Sequence, residues 1–353
     1  MDSVRDSHAD AKDMSSDSLR ERHLRHVGAN GKISNGVEAR HDSVLMNEVL
    51  EALNVQSSDT VVDATIGGAG HFSALLAALG EGGILVGIDA DPAAVERGRE
   101  AYAQDRRTDR PVAHIVNDNF RNLSRILDRL HIAPVDKILF DLGWSGYQIA
   151  SPRGFSFQSD EPLLMTYGEN GETAADIVNS ATEVDLANII FTYGEERFAR
   201  SIARAIVAAR GKARILSTNA LVDAVLAGTP RWYHERKIHP ATKTFQALRI
   251  AVNDEIGSLR EGLAAALHAL APGGKLAVIS FHSIEDRVVK NVLRDAAQTG
   301  LGEMNPKKPI VPGRCEVLAN RRSRSAKLRI FERVVTVPQE GLADSPDSIL
   351  TYA

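Results

Sequence analysis

Between Thr60 and Gly143 the chain alternates short β-branched runs with helix-spaced apolar stretches, and this rhythm constrains the fold more than any other feature. TVVDAT (60–65), ILVGIDAD (84–91), AHIVNDNF (113–120) and KILFDLG (137–143) have the length and the Val/Ile content of buried strands. HFSALLAAL (71–79), DPAAVERGREAYA (91–103) and LSRILDRLHI (123–132) stand between them as helices. Asp91 is a plausible N-cap for the second of these, with Pro92 at its first helical position. Strands joined by crossover helices predict a parallel sheet. A further helix, VLMNEVLEAL (44–53), precedes the first strand.

The rhythm breaks at about Ser151, and as far as Thr244 the chain reads as mainly helical. It resumes with a long helix over about 245–270, a strand at KLAVISF (275–281), a helix at 284–296 and a closing strand at KLRIFERVV (327–335). The expected organisation is therefore an α/β domain made of residues 39–150 and 245–336, with an inserted helical subdomain at 151–244. An insertion of this kind often covers the carboxyl edge of the sheet, where open α/β folds bind ligands. Residues 1–38 and 337–353 are poor in apolar side chains and read as disordered tails.

Composition narrows the function. The single cysteine, Cys315, excludes an internal disulfide, and no His/Cys spacing argues for a metal. The N-terminus has no apolar core of a secretory signal and no run approaches a membrane span, so a cytoplasmic protein without a membrane partner is expected. With a net charge of −4, any nucleic-acid partner must be met by local basic patches.

The loop after the first strand reads 63-DATIGGAGH-71. Gly67, Gly68, Ala69 and Gly70 form either a tight turn or a site where backbone N–H groups approach a ligand at a helix N-terminus. Asp89, at the end of the second strand and 19 residues beyond Gly70, can accept both hydroxyl hydrogens of a ribose. The spacing is not G-x-G-x-x-G, and Asp63 ahead of the glycines suits a cationic group better than a pyrophosphate. That favours S-adenosylmethionine over NAD. Phe120 is a candidate to stack on adenine or to plug the core. Asp141, ending the fourth strand, is either a cap or the group beside the transferable methyl. His71 is read as a binding rather than a proton-transfer residue. His282 in SFHSIED is read as structural, with substrate contact as the lesser alternative. Two basic patches are candidates for RNA phosphates: Arg231, Arg236, Lys237, His239 and Lys243, and Arg314, Arg321, Arg322, Arg324 and Lys327.

Taken together, 41-HDSVLMNEVLEAL-53, 62-VDATIGGAGH-71, 153-RGFSF-157 with 193-YGEERFARSIARAIV-207, 239-HPATKTFQALRIAVNDE-255, 272-PGGKLAVISFHSIEDRVVK-290 and 321-RRSRSAKLRIFER-333 resemble the 16S ribosomal RNA cytosine-N4 methyltransferases of the MraW type. The resemblance runs from about His41 to Val334. It implies a class I S-adenosylmethionine-dependent methyltransferase sheet, Rossmann-like, with an inserted helical substrate domain. It implies methyl transfer to the exocyclic 4-amino group of a cytidine in the decoding centre of 16S rRNA, within the small ribosomal subunit. By matching positions it puts the cofactor on Ala69, Gly70, His71, Asp89, Phe120, Asp141 and Gln148. The chain departs from the family's usual D-L-G-V-S-S-P-Q at Trp144, Gly146 and Tyr147, and from D-G-P-L-D-M-R-M at Leu164 and Thr166. Trp144 and Tyr147 are candidates to stack on a flipped-out base or to seal the interface with the insertion. The alternatives are an amino-methyltransferase acting on another RNA, DNA or protein, and a non-catalytic ribosome-assembly factor. Oligomeric state, a homodimer included, stays open.

Overall fold

The computed structural model describes residues 43–143, 151–168 and 171–335. Its strands are β1 (Thr60–Asp63), β2 (Ile84–Asp89), β3 (Val112–Asn117), β4 (Val135–Asp141), β5 (Leu270–Ser280), β6 (Gly302–Met304) and β7 (Lys327–Arg333). They form one seven-stranded sheet in the order β3-β2-β1-β4-β5-β7-β6. β1 to β5 run parallel, and β7 is antiparallel to β5 and to β6. The chain order reverses between β1 and β4. That is the switch point beside which open α/β sheets take up ligands, at the carboxyl ends of the strands.

The strands are apolar on both faces because helices cover both. Successive side chains point to opposite sides of a strand. Val61, Leu85, Leu139, Ala277 and Ile330 accordingly enter one core, and Val62, Val86, Ile138, Val278 and Phe331 the other. The first core is closed by α1 (Met46–Leu53) and α2 (Gly70–Ala78), with α3 (Pro92–Gln104) along its border. The second is closed by α4 (Leu123–Leu130), by α11 (Glu255–Ala269) and by α12 (Ser283–Gln298). At α3 the Asp91 side chain accepts from Ala93 N at 3.2 Å, and Pro92 opens the first turn.

A third core is mainly helical, with Phe155, Leu163, Met165 and Ile215 added from loops. It is built by α5 (Ala174–Ser180), α6 (Glu183–Gly194), α7 (Ala199–Arg210), α8 (Thr218–Ala227) and α10 (Thr242–Val252), with the short α9 (Arg231–His234) at its border. Phe245 and Leu248 of α10 belong to this core, so residues 245–252 share their packing with the helical layer rather than with the sheet. The single helix expected over 245–270 is in fact two. Asn253 ends α10, and Asp254, at φ 43° in the left-handed region, turns the chain into α11. The break matters, because it brings Asn253 and Glu255 to the mouth of the sheet. A last short helix, α13 (Arg314–Ala319), leads into the β7 edge.

Candidate active site

A cavity lies over the carboxyl ends of β1, β2 and β4, and its two walls have different chemistry. The first is the strand-end wall. After β1 the chain turns through Gly67 (φ 53°) and Ala69 (φ 61°), both in the left-handed region. That is free for glycine and strained for alanine. Arg97 Nε holds the turn by donating to Gly67 O at 2.9 Å. Gly70 opens α2, and a Cβ there would run into Ser43 Oγ. The small residue at position 70 thus makes room for Ser43, while Gly67 and Gly68 face the cavity.

Asp89 sits opposite that turn. Gly67 N donates to its Oδ2 and Asp91 N to its Oδ1, each at 2.8 Å. Both oxygens are fixed by backbone, and each keeps a further lone pair for a ligand. Burial pushes this carboxyl up to about 6, against those two hydrogen bonds. Asp63 is fully buried. Its Oδ1 accepts from Thr65 N at 3.1 Å, and its Oδ2 has no hydrogen-bond partner among the described residues. Burial pushes Asp63 up to about 7.

His71 is clamped at both ring nitrogens. Nε2 lies 3.1 Å from Val44 O, and Nδ1 lies 3.2 Å from Asp141 Oδ2. A carbonyl on one side and a carboxylate on the other both require a donor, so the ring carries both hydrogens. Burial opposes that charge, but the Asp141 hydrogen bond and the negative charges of Asp141 and Asp63 outweigh it and raise the pKa. The other Asp141 oxygen accepts from Gly143 N at 3.2 Å, and the Asp141 side chain keeps 15% exposure toward the cavity. Phe120 packs edge-on against Phe140, at 5.3 Å between centroids, and also lines the cavity. It therefore serves the core and the site at once.

The second wall comes from the α10–α11 break, the start of α12 and Tyr167. Arg249, only 7% exposed, donates to Glu255 Oε2 at 2.7 Å, and Tyr167 Oη donates to Glu255 Oε1 at 2.7 Å. Burial and the Glu255 charge hold the Tyr167 phenol well above its ordinary range. His282 caps α12 and lies 3.1 Å from Glu285 Oε1, while Glu285 Oε2 accepts from Phe281 N at 2.9 Å. Glu255, His282 and Glu285 approach within 4.8 Å of one another, but the Arg249 guanidinium already supplies the cation of this group.

Arg153 ties the helical layer to the strand-end wall. It donates to Asp91 Oδ2 at 3.1 Å and to Tyr167 O at 2.9 Å. Arg153, Arg249, Glu255 and Glu285 all lie inside the quoted motif stretches, yet sequence reading gave none of them a role. The one local signal was a charge, Arg249, within the apolar run of α10. Of the sequence candidates, Gly67, Gly68, Gly70, His71, Asp89, Phe120 and Asp141 line one cavity, with Ala69 at the N-cap of α2 beside it. Trp144, Tyr147 and Gln148 lie outside the described residues. His239 caps the approach to α10 by accepting from Ala241 N at 3.2 Å, and it stacks on Phe157 at 4.8 Å. Lys243 is committed to Glu195 O at 2.7 Å, at the end of α6. Arg322 and Arg324 are exposed in the turn before β7, away from the cavity. In that same patch Lys327 is paired with Asp286 at 2.7 Å.

A largely parallel sheet with helices on both faces and a buried acidic mouth at its switch point defines a nucleoside-binding α/β enzyme. Residues 38–334 match the model of the MraW methylase family, and the chain belongs to that family. Its relatives include proteins named ribosomal RNA small subunit methyltransferase H. That of Deinococcus deserti is 48% identical over 84% of this chain and 94% of its own length. The protein of Deinococcus radiodurans is 46% identical over 83% and 89%, and that of Geobacter sulfurreducens 46% identical over 83% and 99%.

Proposed function

We propose that the protein transfers a methyl group from S-adenosylmethionine to the exocyclic 4-amino group of a cytidine in the decoding centre of 16S rRNA, acting in the cytoplasm on the small ribosomal subunit. The single observation that carries the reading is the charge of the strand-end wall. Asp63 and Asp141 flank one imidazolium, Asp89 lies near Asp63, and an Asp63 oxygen has no partner among the described residues. Such a mouth repels a pyrophosphate and attracts a cation. The residues fit the cofactor: Asp89 offers two fixed oxygens to ribose hydroxyls, Phe120 a ring face to adenine, and the acidic cluster a counter-charge. The match, over 84% and 83% of this chain, to relatives named as small-subunit rRNA methyltransferases supports the substrate.

When bound, S-adenosylmethionine supplies an electrophilic methyl on a sulfonium. The chain's own task is alignment, because a cytosine amino group is a weak nucleophile whose lone pair is drawn into the ring. Asp141, held by His71 and Gly143 N, can accept an amino N–H and turn the nitrogen lone pair toward the methyl. His71 keeps Asp141 aimed. Proton loss follows transfer and needs no strong base. The saturated second wall fixes the mouth on the side of the helical layer. Trp144 and Tyr147 are the stacking candidates for a base that leaves its helix to enter.

The test is mass spectrometry of nucleosides from unmodified small subunits incubated with the purified protein and S-adenosylmethionine. One new 4-N-methylcytidine in 16S rRNA is expected. Methylation of protein or DNA, with none in the subunits, would overturn the substrate.

A further inference from the structure

The helical layer carries a second feature, outside the cavity, that the methyl-transfer reading does not use. Trp232, in the single turn α9, is 53% exposed. It is nevertheless held in place. Its ring meets Phe198 at 5.9 Å and Tyr233 at 5.8 Å, both edge-on. Tyr233 is anchored in turn by its hydroxyl, which donates to the buried Glu196 at 2.7 Å. Arg197 lies over both rings, 5.0 Å from Phe198 and 5.6 Å from Trp232, and Arg236 lies 5.2 Å over Tyr233.

Around this ring cluster the charge is one-sided. Arg231, Arg236 and Lys237 are exposed, and Glu235 is the single acidic residue of the 231–239 stretch. None of Arg197, Arg231, Arg236 and Lys237 forms an ion pair with a carboxylate among the described residues. The two acids that precede Arg197 are committed elsewhere, Glu195 to Arg287 at 2.6 Å and Glu196 to the Tyr233 hydroxyl. None of these residues lines the cavity.

An exposed indole held in place, with a guanidinium beside it and unneutralised cations around it, matches the surface of an unpaired nucleotide. The indole face stacks on a base, and the cations meet the flanking phosphates. An acidic protein segment would use the cations but gives no reason for a preset, exposed ring. We infer that the face built by Trp232, Arg197, Arg231, Arg236 and Lys237 is an anchoring surface for single-stranded RNA, separate from the cavity in which the target base reacts. It rests on the rRNA reading above and adds to it where the substrate is gripped. Because the tryptophan is held before binding, little side-chain freedom is lost on stacking.

The test uses the full-length protein and two readouts: anisotropy of a labelled single-stranded oligoribonucleotide, and steady-state methylation of unmodified small subunits. Trp232→Ala should weaken oligonucleotide binding about fivefold to tenfold. It should raise KM for subunits by a similar factor, with kcat and S-adenosylmethionine affinity unchanged. Trp232→Phe keeps a stacking face and should recover most of the lost affinity. Arg231→Gln and Lys237→Gln should each flatten the log–log salt dependence of binding by about 0.7. Binding by Trp232→Ala indistinguishable from the parent would overturn the inference. So would an unchanged salt slope in the arginine and lysine variants, or polyglutamate competing as well as RNA. The oligonucleotide readout needs no methyl transfer. If subunits are never methylated yet binding depends on Trp232, the substrate assignment falls and the anchoring surface stands. If methylation proceeds while binding ignores Trp232, the anchoring surface falls alone.

Discussion

The two walls of the cavity hold similar numbers of charged side chains and differ in how fully those charges are used. On the α10–α12 wall every carboxylate oxygen is taken: Glu255 by Arg249 and Tyr167, Glu285 by His282 and the backbone of Phe281. On the strand-end side Asp89 and Asp141 also have a partner on each oxygen, but Asp63, buried behind the cavity lining, keeps an oxygen with no partner among the described residues. Glu255 and Glu285 are paired with side chains that hold the wall's shape, whereas Asp89 is held by backbone alone and Asp63 is left one oxygen short among the described residues. The same residue types therefore do opposite work a short distance apart. Leaving a buried carboxylate half-satisfied costs stability that the protein recovers when the missing cation arrives.

The comparison can be broken at its strongest point first. Asp141→Ala should lower methyl transfer to small subunits by about 10²- to 10⁴-fold, measured at saturating S-adenosylmethionine so that any loss of cofactor affinity is separated from the loss of rate. Single-turnover assays beside calorimetric titration check this, and an unimpaired rate would remove Asp141 from the chemistry. Arg249→Met should act on the fold instead. With the guanidinium gone, Glu255 is left as an uncompensated charge, and denaturant unfolding should report a loss of about 3–5 kcal/mol. Were the loss to fall on cofactor affinity with stability intact, the saturated wall would be a binding surface and the contrast would fail.

Asp89→Ala should come next, weakening S-adenosylmethionine binding about a hundredfold through lost hydrogen bonds to a charged acceptor. Unchanged affinity would break the assignment of the ribose site. The smallest effect is a pH dependence. Asp63 is raised to about 7, above its ordinary value of 3.8, so in the free protein its contribution to stability is greatest below that ordinary value and is lost as pH rises through about 7. A bound cation favours the ionised form and reverses the trend. Cofactor affinity should therefore rise with pH up to about 7, by at most about tenfold per pH unit, and then level off. Asp63→Asn should flatten the curve. A parent curve already flat would show that no carboxyl of this wall titrates with the cofactor.

Much of the site was legible because it follows strand ends. Once β1, β2 and β4 are placed as parallel neighbours, Asp63, Asp89 and Asp141 must share one edge, since each closes its strand. The glycine loop was legible for the same reason, although Gly70 proved to be small for the sake of Ser43. The opposite wall was not legible. Tyr167 and Glu255 are 88 positions apart and meet only because Asp254 breaks the expected long helix. A left-handed aspartate carries no strong sequence signal of the kind glycine does.

By itself the amino-acid sequence determined the parallel α/β core, its interruption by helices and the acidic strand ends, because hydrophobic period and strand termini are local properties of the chain. Only the tertiary structure decided which charges are spent and which are spare. It alone paired Arg249 with Glu255, clamped His71 between Val44 and Asp141, and left an oxygen of Asp63 without a partner among the described residues. The physical reason is that satisfaction of a charge depends on distances and burial among residues far apart in the chain, and neither is written in their spacing.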